Sequence, residues 1–254
     1  TSEGFFKTDN ALSTSPGPSW TNSSSGITDA TELRGLCFKP DNASTIYTSG
    51  RDIYKSTNDG DTWVSMTGSF PGLDLENLPD DFEVGRINIA VTPANPELLY
   101  AYIVGRFVSG TNIFNRAYIY KFDGTSWSEI ENYYMPGTTN IVSDGWIAID
   151  VSPVEEDFVV FGHTKVRGRR LSGAPFQEIV PVYNGQGFHP DVHDIKFSPV
   201  GTNPEVYIAH HGGVSKGEVG TTGLNFSYSF LYDGLGTSTI WTFDVSDGRE
   251  EAII

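Results

Sequence analysis

Residues Leu36–Tyr47 read LCFKPDNASTIY and Ile89–Tyr100 read IAVTPANPELLY: an alternating apolar run, a Pro, a few turn-forming residues, then a second apolar run. The phrase returns as IDVSPVEEDFVV from Ile149, as IKFSPVGTNPEVY from Ile195 and, cut by the chain end, as FDVSDGREEAII from Phe243. Alternation of period two puts one set of side chains on one face of an extended strand, and Pro, Asn, Asp and Gly turn the chain back. Each phrase therefore predicts two antiparallel strands. The turn residues Pro40, Pro93, Pro153, Pro199 and Asp247 recur about every fifty positions, the period of a four-stranded propeller blade rather than a helical repeat.

The remaining strands of each unit follow in place. After TIYTSG come DIYKS, a turn and TWVSM; after LLYAYIV come AYIYKF, the turn DGTS and WSEI. The most helix-like window, LDLENLPDDF from Leu73, is broken by Pro79 and predicts a long loop. At the front, GFFKTDNALSTSPGPSWTN predicts strands three and four of a preceding blade around a swollen turn. The expected class is all-β: one propeller domain, 1–254, with blades over approximately 1–25 (half), 31–70, 83–132, 141–182, 188–232 and 237–254 (half). The two halves either combine and close a five-bladed ring or mark a part of a larger propeller. The abrupt apolar ending EEAII favours the larger propeller.

Composition narrows the partners. Across 254 residues, 32 Asp and Glu face 16 Lys and Arg, a net charge of −16, so nucleic acid and anionic membranes are repelled over most of the surface. No apolar run reaches membrane length, and no membrane insertion is expected. The lone Cys37, in the apolar run LCF, is expected to be a buried small hydrophobe, and one Cys allows no internal disulfide. The chain opens at Thr1 with no basic-then-apolar leader, as a processed or excised segment would. The expected location is secreted or cell-surface. The expected partners are a carbohydrate, another surface or secreted protein, or the remainder of a longer chain.

The stretch KSTNDGDTW, Lys55–Trp63, poses the question of site or staple. Its residues Ser56, Asn58, Gly60, Thr62 and Trp63 resemble the Asp-box (BNR repeat) pattern S-x-D-x-G-x-T-W of sialidase-like, sortilin-like and xyloglucanase-like propellers, with Asn58 in the place of the name-giving Asp. FDGTSW is a contracted copy carrying Asp123, Gly124 and Trp127. Physically, the Asn or Asp side chain caps its own turn, Gly accepts a conformation other residues resist, and Trp covers the hairpin. The resemblance places this turn between strands three and four, away from the loops that lead into strand one or join strands two and three. It is therefore expected to be a structural staple.

The richest chemistry lies in GFHPDVHDIKF and, one strand later, VYIAHHGGVSK. His189, Asp191, His193 and Asp194 lead into a strand one, and His210 and His211 follow its partner strand, so both segments are expected on one face of one blade. With Trp146 ahead of another strand one, they are the expected ligand-binding residues. His189, Asp191 and His193 are candidate ligands for a divalent cation, although no cofactor is required. The alternative is a hydrogen-bonded polar layer that fixes loop to loop. The order GW-AIDVSP, HPDVHDIKF, HHGG and DGLGTSTIW resembles large secreted Bacteroidetes Asp-box proteins that often carry a type IX secretion sorting domain. His211 stands where their pattern has Asp.

Catalysis is the competing expectation. A sialidase-like enzyme converges three Arg on its ligand, but Arg167, Arg169 and Arg170 belong to one basic segment, VRGRR, expected as a solvated loop, and Arg86 in GRINIAV lacks the Pro of an Arg-Ile-Pro start. A xyloglucanase-like enzyme needs two facing carboxylates, for which Asp144, Asp150, Asp191 and Asp194 are available, Asp144, Asp191 and Asp194 being the candidate catalytic residues. The favoured expectation is a non-catalytic binding or adhesion module. The alternative is a glycoside hydrolase or part of one.

Overall fold

The computed structural model describes residues 4–30, 32–76, 78, 82–109, 112–135, 146–180, 191–198, 204–219 and 226–231. Among them the fold is all-β: a β-propeller built of four-stranded antiparallel blades. A two-stranded sheet pairs β1 (Phe6–Lys7) with β2 (Thr21–Asn22). The first four-stranded sheet runs β3 (Gly35–Lys39), β4 (Asn42–Ser49), β5 (Ile53–Ser56) and β6 (Val64–Ser65) in chain order. The single-turn helix α1 (Met66–Ser69) follows it. The second sheet holds β7 (Glu83–Val91), β8 (Leu99–Ser109), β9 (Asn112–Phe122) and β10 (Trp127–Met135). The third holds β11 (Ala148–Val151), β12 (Val159–Gly162), β13 (Val166–Arg169) and β14 (Gln177–Val180), and the fourth β15 (Val192–Phe197), β16 (Glu205–His210), β17 (Gly213–Val219) and β18 (Phe226–Phe230). The half-blade expected over 237–254 lies outside the described residues.

The chain divides into two compact units, residues 1–89 with 103–142, and residues 90–102 with 143–254. The second strands explain the paired apolar runs of the sequence. Leu99 to Val104 of β8 are all buried, as is every residue of β12, so these strands are covered on both faces and tolerate no polar alternation. In the second unit, Phe158, Val160 and Val166 pack with Val192, Ile195 and Ile208 in one apolar cluster that joins the third sheet to the fourth. Two hydrogen bonds tie β15 to the third sheet: Val192 N donates to His163 O (2.7 Å) at the end of β12, and Phe197 N donates to the Asp150 carboxylate on β11 (2.7 Å). In the first unit, Ile87 N donates to Gly50 O (2.8 Å) and Ser49 Oγ donates to Ile87 O (2.9 Å).

The turn Ser56–Trp63 is a closed hydrogen-bond network. Ser56 Oγ accepts from Asn58 N and Gly60 N, Asn58 Oδ1 accepts from Thr62 N (3.0 Å), and Asn58 Nδ2 donates to Thr62 Oγ1 (3.0 Å). Gly60 sits at φ +81°. Trp63 reaches beyond its own hairpin: its indole N–H donates to Ser23 O (2.8 Å), its backbone N–H donates to Ser25 O (2.8 Å), and its ring meets Phe5 edge-on at 4.8 Å. The contracted copy repeats the arrangement. Asp123 Oδ1 accepts from the backbone N–H of Thr125 and Ser126, Trp127 N donates to Pro71 O (2.8 Å), and the Trp127 indole donates to Met66 O (3.2 Å). Those hydrogen bonds hold the Asp123 carboxyl down at about 2.

Two expectations are corrected. Cys37 is only half-buried: β3 turns Gly35 and Cys37 to one side, where Cys37 Sγ approaches Ile89 O at 3.5 Å, and leaves Leu36 and Phe38 53% and 54% exposed on the other. VRGRR is largely strand β13 rather than a solvated loop. Its Arg169 is buried with the guanidinium 4.7 Å from the Phe176 ring and 3.9 Å from Asp157, because a planar, weakly hydrated cation can lie against an aromatic face.

Gly72 separates the geometry of this latch from generic glycine strain. It has φ +98°, and a Cβ there would stand 2.0 Å from Trp127 O, whereas Gly17 has φ +102° with nothing within 4 Å. By urea unfolding, Gly17→Ala is expected to cost about 1 kcal/mol and Gly72→Ala roughly 3 kcal/mol or more. In the same assay Asn58→Asp, which keeps the acceptor, stays within about 0.5 kcal/mol of the parent, and Asn58→Leu loses about 1–2 kcal/mol.

Candidate functional site

The second unit gathers most of the described candidate residues. Trp146 stands just ahead of β11, Asp191 just ahead of β15, His193 within β15, and His211 in the turn from β16 to β17. A β-bulge shapes this end of the fourth sheet: Val192 pairs with His210 and Asp194 with Ala209, so His193 is the extra residue. Such a bulge re-aims a side chain that regular alternation would turn elsewhere. Asp191 takes φ +73°, a left-handed conformation that Asp adopts more readily than most residues.

The rings then meet. His193 and His211 lie 4.7 Å apart between centroids, and Trp146 is 4.9 Å from His211 and 5.7 Å from His193, both edge-on. Asp191 Oδ2 bonds His211 Nδ1 at 3.1 Å and so orients that ring. Asp191 and His211 are partly exposed, whereas His193 is 9% exposed. The result is an aromatic and imidazole wall with one carboxylate held at its rim. It can stack on an apolar face, accept from a hydroxyl and exchange a hydrogen bond through His211.

His210 has a different place from the one expected of a contact residue. It is 0% exposed, its Nδ1 accepts from Gly212 N (3.0 Å), and its Nε2 bonds Ser215 Oγ (2.8 Å). An accepting Nδ1 requires the neutral ring protonated at Nε2, so His210 pins the β16–β17 turn that carries His211. Asp194 lies on β15 with Oδ1 accepting from Ile195 N (2.9 Å). Asp150, which ties β15 to β11, is crowded by both strands while part of the residue stays solvent-accessible. That desolvation, with Asp194 nearby and opposed chiefly by Lys196, pushes its carboxyl up to about 6. His189 and Asp144 lie outside the described residues. Among the described residues no three His, Cys, Asp or Glu side chains gather as a metal site.

Sequence reasoning passed over His163. It closes β12 and its carbonyl receives Val192 N, fixing the backbone beside Asp191 and His193. The signal was present: VVFGH ends with His163 as VYIAH ends with His210, the same position in consecutive repeats.

No family model and no curated protein matches the chain. Among solved structures it is similar to an ancestral GH74 enzyme at 18% identity and TM-score 0.52, over 84% of this chain and 29% of that one. Sqt1 from Chaetomium thermophilum gives 17% identity and TM-score 0.42 over 66% of this chain and 40% of that one. An exo-beta-1,3-galactanase from Phanerochaete chrysosporium gives 10% identity and TM-score 0.44 over 82% and 52%. The chain thus spans less than a third of the GH74 enzyme, and at 18% identity the likeness is one of fold.

Burial and the neighbouring His211 hold the His193 imidazole down at about 4, against the partial pull of Asp191. A ring near 6.5 when unfolded and about 4 when folded contributes stability present above pH 6.5 and lost as pH falls through 4, up to about 3 kcal/mol in all. Asp150, raised to about 6, acts in the opposite sense, its contribution being lost as pH rises through 6. The difference in unfolding free energy between the parent and His193→Phe is therefore expected to shift by up to about 3 kcal/mol between pH 7 and 4, with the parent losing ground on acidification.

Proposed function

We propose that this chain is a propeller of the Asp-box class, secreted or displayed at a cell surface, that acts as a binding or adhesion module for a glycan or another surface protein. The observation that carries the reading is the Trp146, His193 and His211 ring cluster with Asp191 bonded to His211 at 3.1 Å. Aromatic edges supply contact area at low entropic cost, and a held carboxylate and imidazole supply directional acceptors and donors. The network around Ser56, Asn58 and Thr62 supports the Asp-box part of the reading, since the amide does there what the pattern's carboxylate would do.

At this cluster binding is favoured over glycoside hydrolysis because the groups that converge there are rings and one His–Asp pair. A hydrolase needs two carboxylates facing across a groove at about 5–9 Å. Asp150 is instead committed to the backbone N–H of Phe197. The resemblance to large secreted Bacteroidetes proteins supports export by a type IX route, with this segment acting as a rigid display element of a longer chain. A divalent cation at His189, Asp191 and His193 is compatible with the reading and not required by it.

The test is a glycan array followed by titration of the best ligand, with surface extracts probed in parallel. Trp146→Ala and His211→Ala are each expected to weaken binding about tenfold or more while Trp20→Ala, an exposed Trp remote in sequence, leaves it unchanged. Equal affinity in parent, Trp146→Ala and His211→Ala would remove the proposed surface.

A further inference from the structure

The first unit carries an open groove of about 970 Å³, lined in part by Pro71 and Gly72 and containing none of the Trp146, Asp191, His193 and His211 cluster. Its walls come from three places: Asp52 in the β4–β5 turn, Phe70, Asp74 and Glu76 in the connection from α1 to β7, and Tyr120 and Glu129 on β9 and β10. The volume is at the upper end for small-molecule sites, with room for more than one sugar ring.

The chemistry of the walls narrows the occupant. Four carboxylates and, among the described residues, no Lys or Arg line the groove, Lys55 lying over Phe70 at 5.9 Å; this excess of negative charge disfavours phosphorylated, sulfated or uronic ligands. The four carboxylates are spread over three walls, and among the described residues no three acids or histidines gather as a metal site, so a single bound cation does not explain them. Two of them, Asp52 and Glu129, already accept from hydroxyls. Thr67 Oγ1 donates to Asp52 Oδ1 at 2.6 Å, and Tyr120 Oη reaches Glu129 Oε2 at 3.4 Å. Asn132 Nδ2 holds the other oxygen of Glu129 at 2.5 Å, fixing its direction. Burial and Glu129 raise the Tyr120 phenol, which stays a proton donor throughout the physiological range. Phe70, half-buried, is braced edge-on by Phe122 at 5.1 Å, has Lys55 Nζ 5.9 Å over its ring, and presents apolar surface beside them.

We infer that this groove is a binding site for a neutral oligosaccharide, with Phe70 under the C–H face of a ring and Asp52 and Glu129 accepting from its hydroxyls. Acceptors spread over several walls suit a ligand whose hydroxyls point in several directions, whereas one ammonium group would engage only one wall. The inference is independent of the ring cluster around Trp146.

Isothermal titration of the whole chain with cello-, manno- and galacto-oligosaccharides tests it, with spermine as the cationic comparison. At least one neutral oligosaccharide is expected to bind saturably. Phe70→Ala and the near-isosteric Glu129→Gln should each weaken it about tenfold, while Leu171→Ala, at an exposed turn residue of the second unit, leaves it unchanged. Thermal melts of the variants confirm folding, and Glu129, exposed on β10, is the substitution least able to disturb it. The proposal is overturned by saturable spermine binding with no sugar binding, by sugar binding indifferent to both groove variants, or by no binding of any of the sugars.

Discussion

A tryptophan amide that donates to the chain preceding its own sheet is the constraint on which the first unit rests. Trp63 N binds Ser25 O and Trp127 N binds Pro71 O, each at 2.8 Å, and in both cases a Gly at positive φ, Gly26 or Gly72, lets the two backbones approach. The indole then adds a second bond to the same segment. Antiparallel pairing alone organises strands within a sheet and says nothing about how one sheet follows the next. The latch converts a polar turn into a fixed path for the connection that leads toward strand one, and so sets where the strand-one residues begin.

In the second unit the corresponding control is exercised on β15 from two strands of the third sheet, β11 and the end of β12. Val192 N on His163 O and Phe197 N on Asp150 hold β15 at two points, and between them the bulge at His193 turns a ring toward Trp146 and His211. His210, sealed beneath, decides where the next residue stands. Burial thus divides two adjacent histidines, one fixing the turn and the other, oriented by Asp191, reaching partial exposure.

The repeat made the blades legible because strand pairing follows chain order and each turn carries its own Pro, Asn or Asp. The closed turn at Asn58 was readable for the same reason: its partners lie within a few residues. Contacts between repeats were harder to read. Trp63 was expected to cover its own hairpin, yet its indole partner is Ser23, and nothing in local periodicity marks that distant carbonyl. Arg169 looked solvated because charge suggests water, while its cover, Phe176, arrives from across a turn. Trp146, Asp191, His193 and His211 were identified by residue type. Their mutual distances depend on a bulge that composition does not announce, and the groove around Tyr120 and Glu129 is assembled from segments with no shared motif.

The strict neighbour-to-neighbour order of the strands has a consequence for inheritance. In each four-stranded sheet every strand pairs with the one before or after it, so a cut made between sheets severs no ladder, whereas a cut within one strands an unpaired edge. Whole sheets are accordingly the increments by which such a gene can lengthen or shorten without exposing raw edges. Each added copy must bring its own tryptophan or its own strand-one tie to be seated.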